Sequence, residues 1–340
     1  MSSSPFQSQP GAHTPVIESS QSGMGHEPGA GGSEPSVTVA ICTFRRPEGL
    51  QRALDGLWRQ TGIPVAKVTV IVVDNDPAGS ARAVVDRNRP PPGWILRYVI
   101  EPQPGVSHAR NRCLAESRTD LIAFFDDDEV PEPGWLAALL ETRKASGADA
   151  VFGPVISRFE TRPPSWMAGC TAHRRPRHPT GSMVNWKNSR TGNVLLGRRL
   201  VALAGGGFDV RFATSGGEDA LFFARAERAG AKLIWCDEAV VVEDVPATRM
   251  RLIWVLERSY KGGQTWVRIR AEFSRGIWLP MALRGAASAL LAAIALFPAL
   301  LISRGAAVRQ AQRVAGGLGK MTAWWAANPE RGVRAGHYVG

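Results

Sequence analysis

Leu121-Ile122-Ala123-Phe124-Phe125-Asp126-Asp127-Asp128-Glu129 passes from five apolar residues straight to four acids. An apolar run of this length suits a short strand covered on both faces. The acids repel one another, and each carboxylate costs several kcal/mol to bury without a partner. A divalent cation brought by an anionic ligand is one use for such a cluster, and oxygen donors of this kind suit Mg²⁺ or Mn²⁺. Position favours that use, because ligands of parallel α/β sheets sit outside the carboxyl ends of the strands. A solvated acidic turn closing a strand explains the same nine residues. The rest of the chain has to decide.

Upstream, Val37 to Cys42 reads as a first strand, with Thr43-Phe44-Arg45-Arg46 as its loop and Pro47 at the first position of a helix. Leu50, Leu54, Leu57 and Trp58 give that helix one apolar face. Val68 to Val73 is a second strand, stopped by Asp74-Asn75-Asp76-Pro77, and Ser80 to Asn88 can form a helix. Leu96 to Ile100 is a weaker strand, and a helix over Val106 to Ser117 precedes the quoted run. Pro133 to Ala145 is a further helix, and Ala150 to Ile156 a strand. This alternation predicts an α/β domain with a mostly parallel sheet, so Asp74 and Asp126 to Asp128 stand on one edge. Ser157 to Lys187 is irregular and long for a loop, which predicts a functional flap. Ser215-Gly216-Gly217-Glu218-Asp219 opens a helix through Arg228, where acids also serve as simple helix caps. Lys232 to Cys236 and Ala239 to Val242 are short strands, ended by Glu243-Asp244.

The chain has 340 residues and a net charge of +11. The charge is concentrated. From Lys261 to Gly340 eleven Lys/Arg face only Glu272 and Glu330, which leaves about +2 on the first 260 residues. A basic-partner argument therefore applies to the tail, and no nucleic-acid partner is expected. Cys42, Cys113, Cys170 and Cys236 form no C-x-x-C pair, which speaks against a zinc site and fits a reducing compartment. No G-x-G-x-x-G or G-x-x-x-x-G-K-[ST] follows the first strand, which argues against a nicotinamide oxidoreductase and a P-loop phosphotransferase. Residues 1–36, rich in Ser, Gly, Pro and Gln, are expected to be disordered, and they lack the cationic start and apolar core of a signal peptide.

Several motifs stand in order: Val39-Ala-Ile-Cys-Thr-Phe-Arg-Arg46, Val70-Ile-Val-Val-Asp-Asn75, Gly105-Val-Ser-His-Ala-Arg-Asn111, Phe124-Phe-Asp-Asp-Asp-Glu-Val-Pro-Glu-Pro-Gly-Trp135, Thr191-Gly-Asn-Val194 and Gly216-Gly-Glu-Asp-Ala-Leu221. Together they resemble family 2 glycosyltransferases, inverting enzymes of the GT-A fold, from about Ser36 to Trp266. The stretch Arg258-Ser-Tyr-Lys-Gly-Gly-Gln-Thr265 resembles bacterial exopolysaccharide transferases of the succinoglycan glucosyltransferase type. The resemblance implies a Rossmann-like GT-A domain over 37–265, with helices on both faces of its sheet. Residues 37–130 would be its nucleotide-sugar half and 131–265 its acceptor half. It implies a nucleotide-sugar donor, typically a UDP-sugar, and a saccharide or lipid-linked saccharide acceptor. Thr43 and Arg45 would line the nucleotide pocket, Asp74 would accept from the base, and Arg110 would lie near the nucleotide. Asp126 and Asp128 match the D-x-D positions. Asp128 would bind Mg²⁺ or Mn²⁺, Asp126 the ribose or the metal shell, and Asp127 would orient its neighbours. Asp219 would be the catalytic base. Many relatives carry a His about 25 residues further on; this chain has Glu243 instead, as a metal contact or a strand cap. Asn193, Glu218, Arg258 and Lys261 are candidates for acceptor or diphosphate contacts. The absence of a Gln/Arg-x-x-Arg-Trp motif implies addition of a single sugar. A nucleotidyltransferase of related fold is the alternative enzyme, although Thr43 to Pro47 has none of the glycines its first loop needs. A non-catalytic sugar-binding scaffold would not need Asp74, Asp128 and Asp219 together.

The remaining segment, 266–340, reads as a basic helical tail. Gly285 to Ser303 has no charge, lies between Arg284 and Arg304, and is long enough to span a bilayer. The +9 tail and Trp324-Trp325 predict contact with an anionic membrane surface, lying on it or as a single span whose orientation the basic flanks leave undetermined, with a soluble buried helical tail as the alternative. A lipid-linked acceptor would put that contact at the cytoplasmic side of the inner membrane.

Overall fold

A computed structural model describes residues 36–63, 67–170, 172–173 and 175–326, all within one compact unit, Glu34–Gly340. The expectation of disorder for residues 1–36 lies outside the described residues, Ser36 apart. β1 (Val37–Thr43) leads through α1 (Pro47–Leu57) to β2 (Val68–Asp74), α2 (Arg82–Arg87) and β3 (Trp94–Ile100). α3 (Val106–Glu116), β4 (Leu121–Phe125), β5 (Glu129–Pro131) and α4 (Trp135–Ser146) follow. Next come β6 (Ala150–Phe152), β7 (Val155–Phe159), β8 (Asn193–Gly197), α5 (Arg198–Leu203) and α6 (Glu218–Arg228). β9 (Leu233–Trp235) and β10 (Val241–Val245) precede three long helices, α7 (Leu252–Ala271), α8 (Trp278–Ile302) and α9 (Arg304–Ala326).

The main sheet has the order β3-β2-β1-β4-β8-β6-β9. β1 pairs parallel with both β2 and β4, while β8 runs antiparallel between β4 and β6. All five residues of β4 are buried, because successive side chains enter two different cores. Ala123 and Phe125 join Leu50, Leu54 and Leu57 of α1 on one face. Ile122 and Phe124 join Cys113 of α3 and Phe222 and Phe223 of α6 on the other. The chain order reverses between β1 and β4, so a crevice opens at their carboxyl ends. Thr43 and the acidic run border it.

Three strands differ from expectation, one of them β10, which holds Glu243 and Asp244 inside it instead of ending before them. Ala150 to Ile156 is not one strand, because Pro154 has no N–H to give a ladder. β6 stays in the main sheet and β7 enters a second one, ordered β5-β10-β7. Glu129 is not part of a solvated turn; it starts β5 and is buried. Within the flap, β7 reaches Phe159 and a short 3₁₀ turn covers Ser165–Gly169. In the tail, α7 runs without a break across residues 265 and 266, and the apolar run lies inside α8 with Pro298.

Candidate active site

The acidic run divides its labour by burial. Asp127 is buried and accepts a hydrogen bond from Thr43 Oγ1 at 2.8 Å, across the crevice from β1. Arg46 Nη1 reaches Asp127 Oδ1 at 3.1 Å and Asp128 Oδ2 at 3.0 Å. α1 can come this close because residue 49 is Gly: a Cβ there would stand 2.8 Å from the Asp127 carbonyl oxygen. Burial pushes the Asp127 carboxyl up to about 6, against the opposing charge of Arg46. Glu129 Oε2 accepts from the Asp126 N–H at 2.9 Å, and burial raises its pKa well above the usual carboxylate range.

Beyond Arg46 the ion pairs alternate in sign. Arg249 Nη2 lies 3.0 Å from Asp128 Oδ2, and its Nη1 lies 2.9 Å from Glu243 Oε1. Glu243 Oε2 is 3.4 Å from Arg175. These residues line a cavity of about 300 Å³ at the crevice, together with Asn75, Arg110, Asp126, Trp254 and Arg258.

Arg110 carries the site toward α6. Its guanidinium pairs with Glu218, and its Nη2 lies 3.5 Å from Asp126 Oδ1. Burial would lower the Arg110 pKa, but the charges of Glu218, Asp126 and Asp219 outweigh it and raise it. Burial pushes Glu218 up to about 7, against the pull of Arg110. Its Oε2 is buried without a hydrogen-bond partner among the described residues. Asp219 is half-buried, and its Oδ1 accepts from the Ala220 N–H at 2.7 Å. Of the two adjacent acids, Glu218 is therefore locked and Asp219 is the more open.

Six expected residues do not line this cavity: Glu218 and Asp219, which lie beyond Arg110, and four others. Asp74 is fully buried, and it accepts from the N–H of Asp76 (3.0 Å), the N–H of Ala81 (2.7 Å) and the Tyr98 hydroxyl (2.8 Å). Arg45 has φ +56° and turns outward to pair with Asp76 at 3.2 Å, leaving Arg46 to face the acids. Asn193 donates to the carbonyls of Pro154 and Ala239 and accepts from Trp135 Nε1. Lys261 is exposed on α7. Sequence reasoning missed Arg46, Arg175, Arg249 and Trp254. Arg249 falls just past the place where a His was sought, between β10 and α7; its signal was a cation of another type.

Among the described residues no three metal-ligating side chains converge, and Glu243 is paired with arginines. Asp126 and Asp128 nevertheless offer carboxylate oxygens to one cavity. That donor set fits Mg²⁺ or Mn²⁺, since such ions are commonly held by one or two carboxylates plus substrate phosphates.

The glycosyl transferase family 2 model matches residues 38–200. The succinoglycan biosynthesis protein ExoM of Rhizobium meliloti (strain 1021) is 38% identical over 267 residues, covering 77% of this chain and 85% of that protein. A glucosyl-dolichyl phosphate glucuronosyltransferase of Haloferax volcanii is 26% identical over 246 residues, 67% of this chain and 75% of its own length. In fold, the chain is similar to the mannosyltransferase PcManGT from Pyrobaculum calidifontis, solved in complex with GDP-Man and Mn²⁺. The TM-score is 0.57 at 20% identity, over 86% of this chain and 87% of that one. The expected GT-A-like architecture is thus observed, and the chain belongs to glycosyl transferase family 2.

Proposed function

We propose that the chain transfers one sugar, with inversion, from a nucleotide-diphosphate donor such as a UDP-sugar to a hydroxyl of a saccharide or lipid-linked saccharide. The reaction would serve bacterial polysaccharide or glycoconjugate synthesis at the cytoplasmic membrane surface. The observation that carries this reading is the junction at Arg110, which joins the Asp126–Asp128 cavity to the Glu218–Asp219 pair. On this reading one carboxylate group would stand under the phosphates and another beyond the sugar. The names of ExoM and of the glucuronosyltransferase support the reading.

Asp126 and Asp128 would hold Mg²⁺ or Mn²⁺, which would offset charge growing on the leaving diphosphate. Arg46 and Arg249, already at Asp128, are the guanidinium groups best placed to meet phosphate oxygens. Asp219 takes the proton of the attacking acceptor hydroxyl. Arg110 keeps Glu218 engaged, so that the neighbouring acid does not compete for that proton.

Asp219→Asn should cut transfer by about a thousandfold while UDP binding, read by calorimetry, stays unchanged. Near-normal transfer would remove Asp219 as the base. Full activity after EDTA treatment would remove the metal role of Asp126 and Asp128.

A further inference from the structure

A second cavity, of about 260 Å³, adjoins the first, and the two share Arg175 and Arg258. In the first cavity the cations meet Asp126, Asp127, Asp128 and Glu243. The second adds Lys187 and Arg190, and among the described residues no carboxylate lines it. Among the described residues no carboxylate pairs with Lys187, Arg190 or Arg258. Their contacts hold them in place without cancelling their charge. The Lys187 ammonium sits 5.5 Å from the Trp266 ring centroid and the Arg258 guanidinium 5.3 Å from that of Trp254. Arg190 Nη1 donates to the Ser189 carbonyl oxygen at 2.6 Å. Burial, and then the charges of Arg175, Arg249 and Arg190, lower the Arg258 pKa against the opposing charge of Glu243 in the first cavity, so these cations lie within electrostatic reach of one another. A cavity of unbalanced cations gains most from an anion, and guanidinium forks match phosphate and carboxylate oxygens.

We infer that this second cavity is the acceptor subsite, and that it takes an acceptor bearing an oxyanion, a phosphate or a carboxylate, near the hydroxyl to be glycosylated. The inference rests on the glycosyl-transfer reading above. Arg175 and Arg258 border both cavities, so an oxyanion held there brings the acceptor against the donor. Arg258 also lies five residues before Gly263, where α7 touches α9, or about 7.5 Å along the helix. The subsite is thus built on the helix that carries the apolar tail. A phosphate on a lipid carrier and an acidic sugar share the chemistry, and the experiment separates them.

The full chain, in detergent with UDP and Mn²⁺ present, is titrated with farnesyl diphosphate, D-glucuronate and the neutral alcohol farnesol. At least one oxyanion should bind beside UDP. Lys187→Gln and Arg190→Gln should each weaken it about tenfold, with UDP affinity and farnesol binding unchanged. A response confined to farnesyl diphosphate supports the lipid carrier, and one confined to glucuronate the acidic sugar. Oxyanion binding insensitive to both substitutions, or seen only as displacement of UDP, overturns the inference. Failure of the wild-type chain to bind UDP would instead overturn the donor reading, and the titration repeated without UDP still reads the second cavity.

Discussion

Arg110 holds three elements together through one side chain: α3, the end of β4 and the start of α6. Removing it leaves the Glu218 carboxyl buried with no counterpart, which costs about 3–5 kcal/mol where that carboxyl is ionised, above pH 7. Arg110→Met should therefore lower the thermal midpoint as well as activity, and a wild-type melting curve would sink this account. The pH dependence follows from Glu218. Its folded pKa, about 7, lies above its ordinary value of 4.5. The folded state then keeps a proton that the unfolded chain gives up. Stability from this group is full below pH 4.5 and is lost as pH rises toward 7. Glu218→Gln should flatten that part of the stability profile; an unchanged slope would show that Glu218 is ionised throughout. At this scale legibility in the sequence was uneven. Asp126, Asp128 and Arg110 could be read because they sit in local motifs whose position relative to a strand or helix fixes their direction. Asp74 could be placed at its strand end, but not its capture by Tyr98 from a neighbouring strand. Arg175 and Arg249 reach the acids through tertiary packing that leaves no periodic signal.

At the scale of elements, α7 governs more than its sequence suggests. It presents Trp254 and Arg258 to the first cavity, and Arg268 bonds Ser215 Oγ at 2.6 Å in the loop before α6. Its far side meets α9 backbone to backbone: a Cβ on Gly263 would collide with the Gly316 carbonyl oxygen. Gly263→Leu should destabilise the chain by about 1–3 kcal/mol in urea melts. Gly262, one residue earlier, has open space around it, so Gly262→Ala should stabilise by about 0.5–1 kcal/mol. Equal stability of the two variants would show that the α7–α9 contact does not form. Strands and helices of the sheet were legible because each buries an apolar period of its own. The split between β6 and β7 was not, because the apolar run continues through it and only Gly153-Pro154 marks the change of sheet. The continuity of α7 through residues 265 and 266 was equally hidden, since a boundary drawn from resemblance has no physical break behind it.

For the whole molecule, the question is whether α8 would cross a bilayer or lie on one. α8 is long and apolar enough to cross one. Its packing is the reverse of a soluble core helix: Gly285, Ala289 and Ala292 are buried, while Leu290, Leu291, Ile294 and Phe297 are each more than 60% exposed. Small residues inside and large ones outside suit a lipid-facing helix. A span is nevertheless costly in this arrangement. α9 turns back along α8, with Ala299 packed near Ala306 at one end and Gly285 against Gly317 at the other. A membrane-crossing α8 would draw Arg309 and Arg313, both exposed, toward the hydrocarbon at about 2.5–3.5 kcal/mol each near the centre. Lying in the interface puts the leucines in lipid and leaves the arginines at anionic headgroups. The full chain should therefore float with vesicles containing phosphatidylglycerol, and Leu290→Glu with Ile294→Glu should cut the bound fraction about tenfold. The in-plane arrangement has its own readout at the hairpin tip. A Ser303→Cys chain bound to sealed vesicles should react with a membrane-impermeant maleimide added outside, on the side of the catalytic domain. Reaction only after the vesicles are opened would place the tip across the bilayer and restore the span.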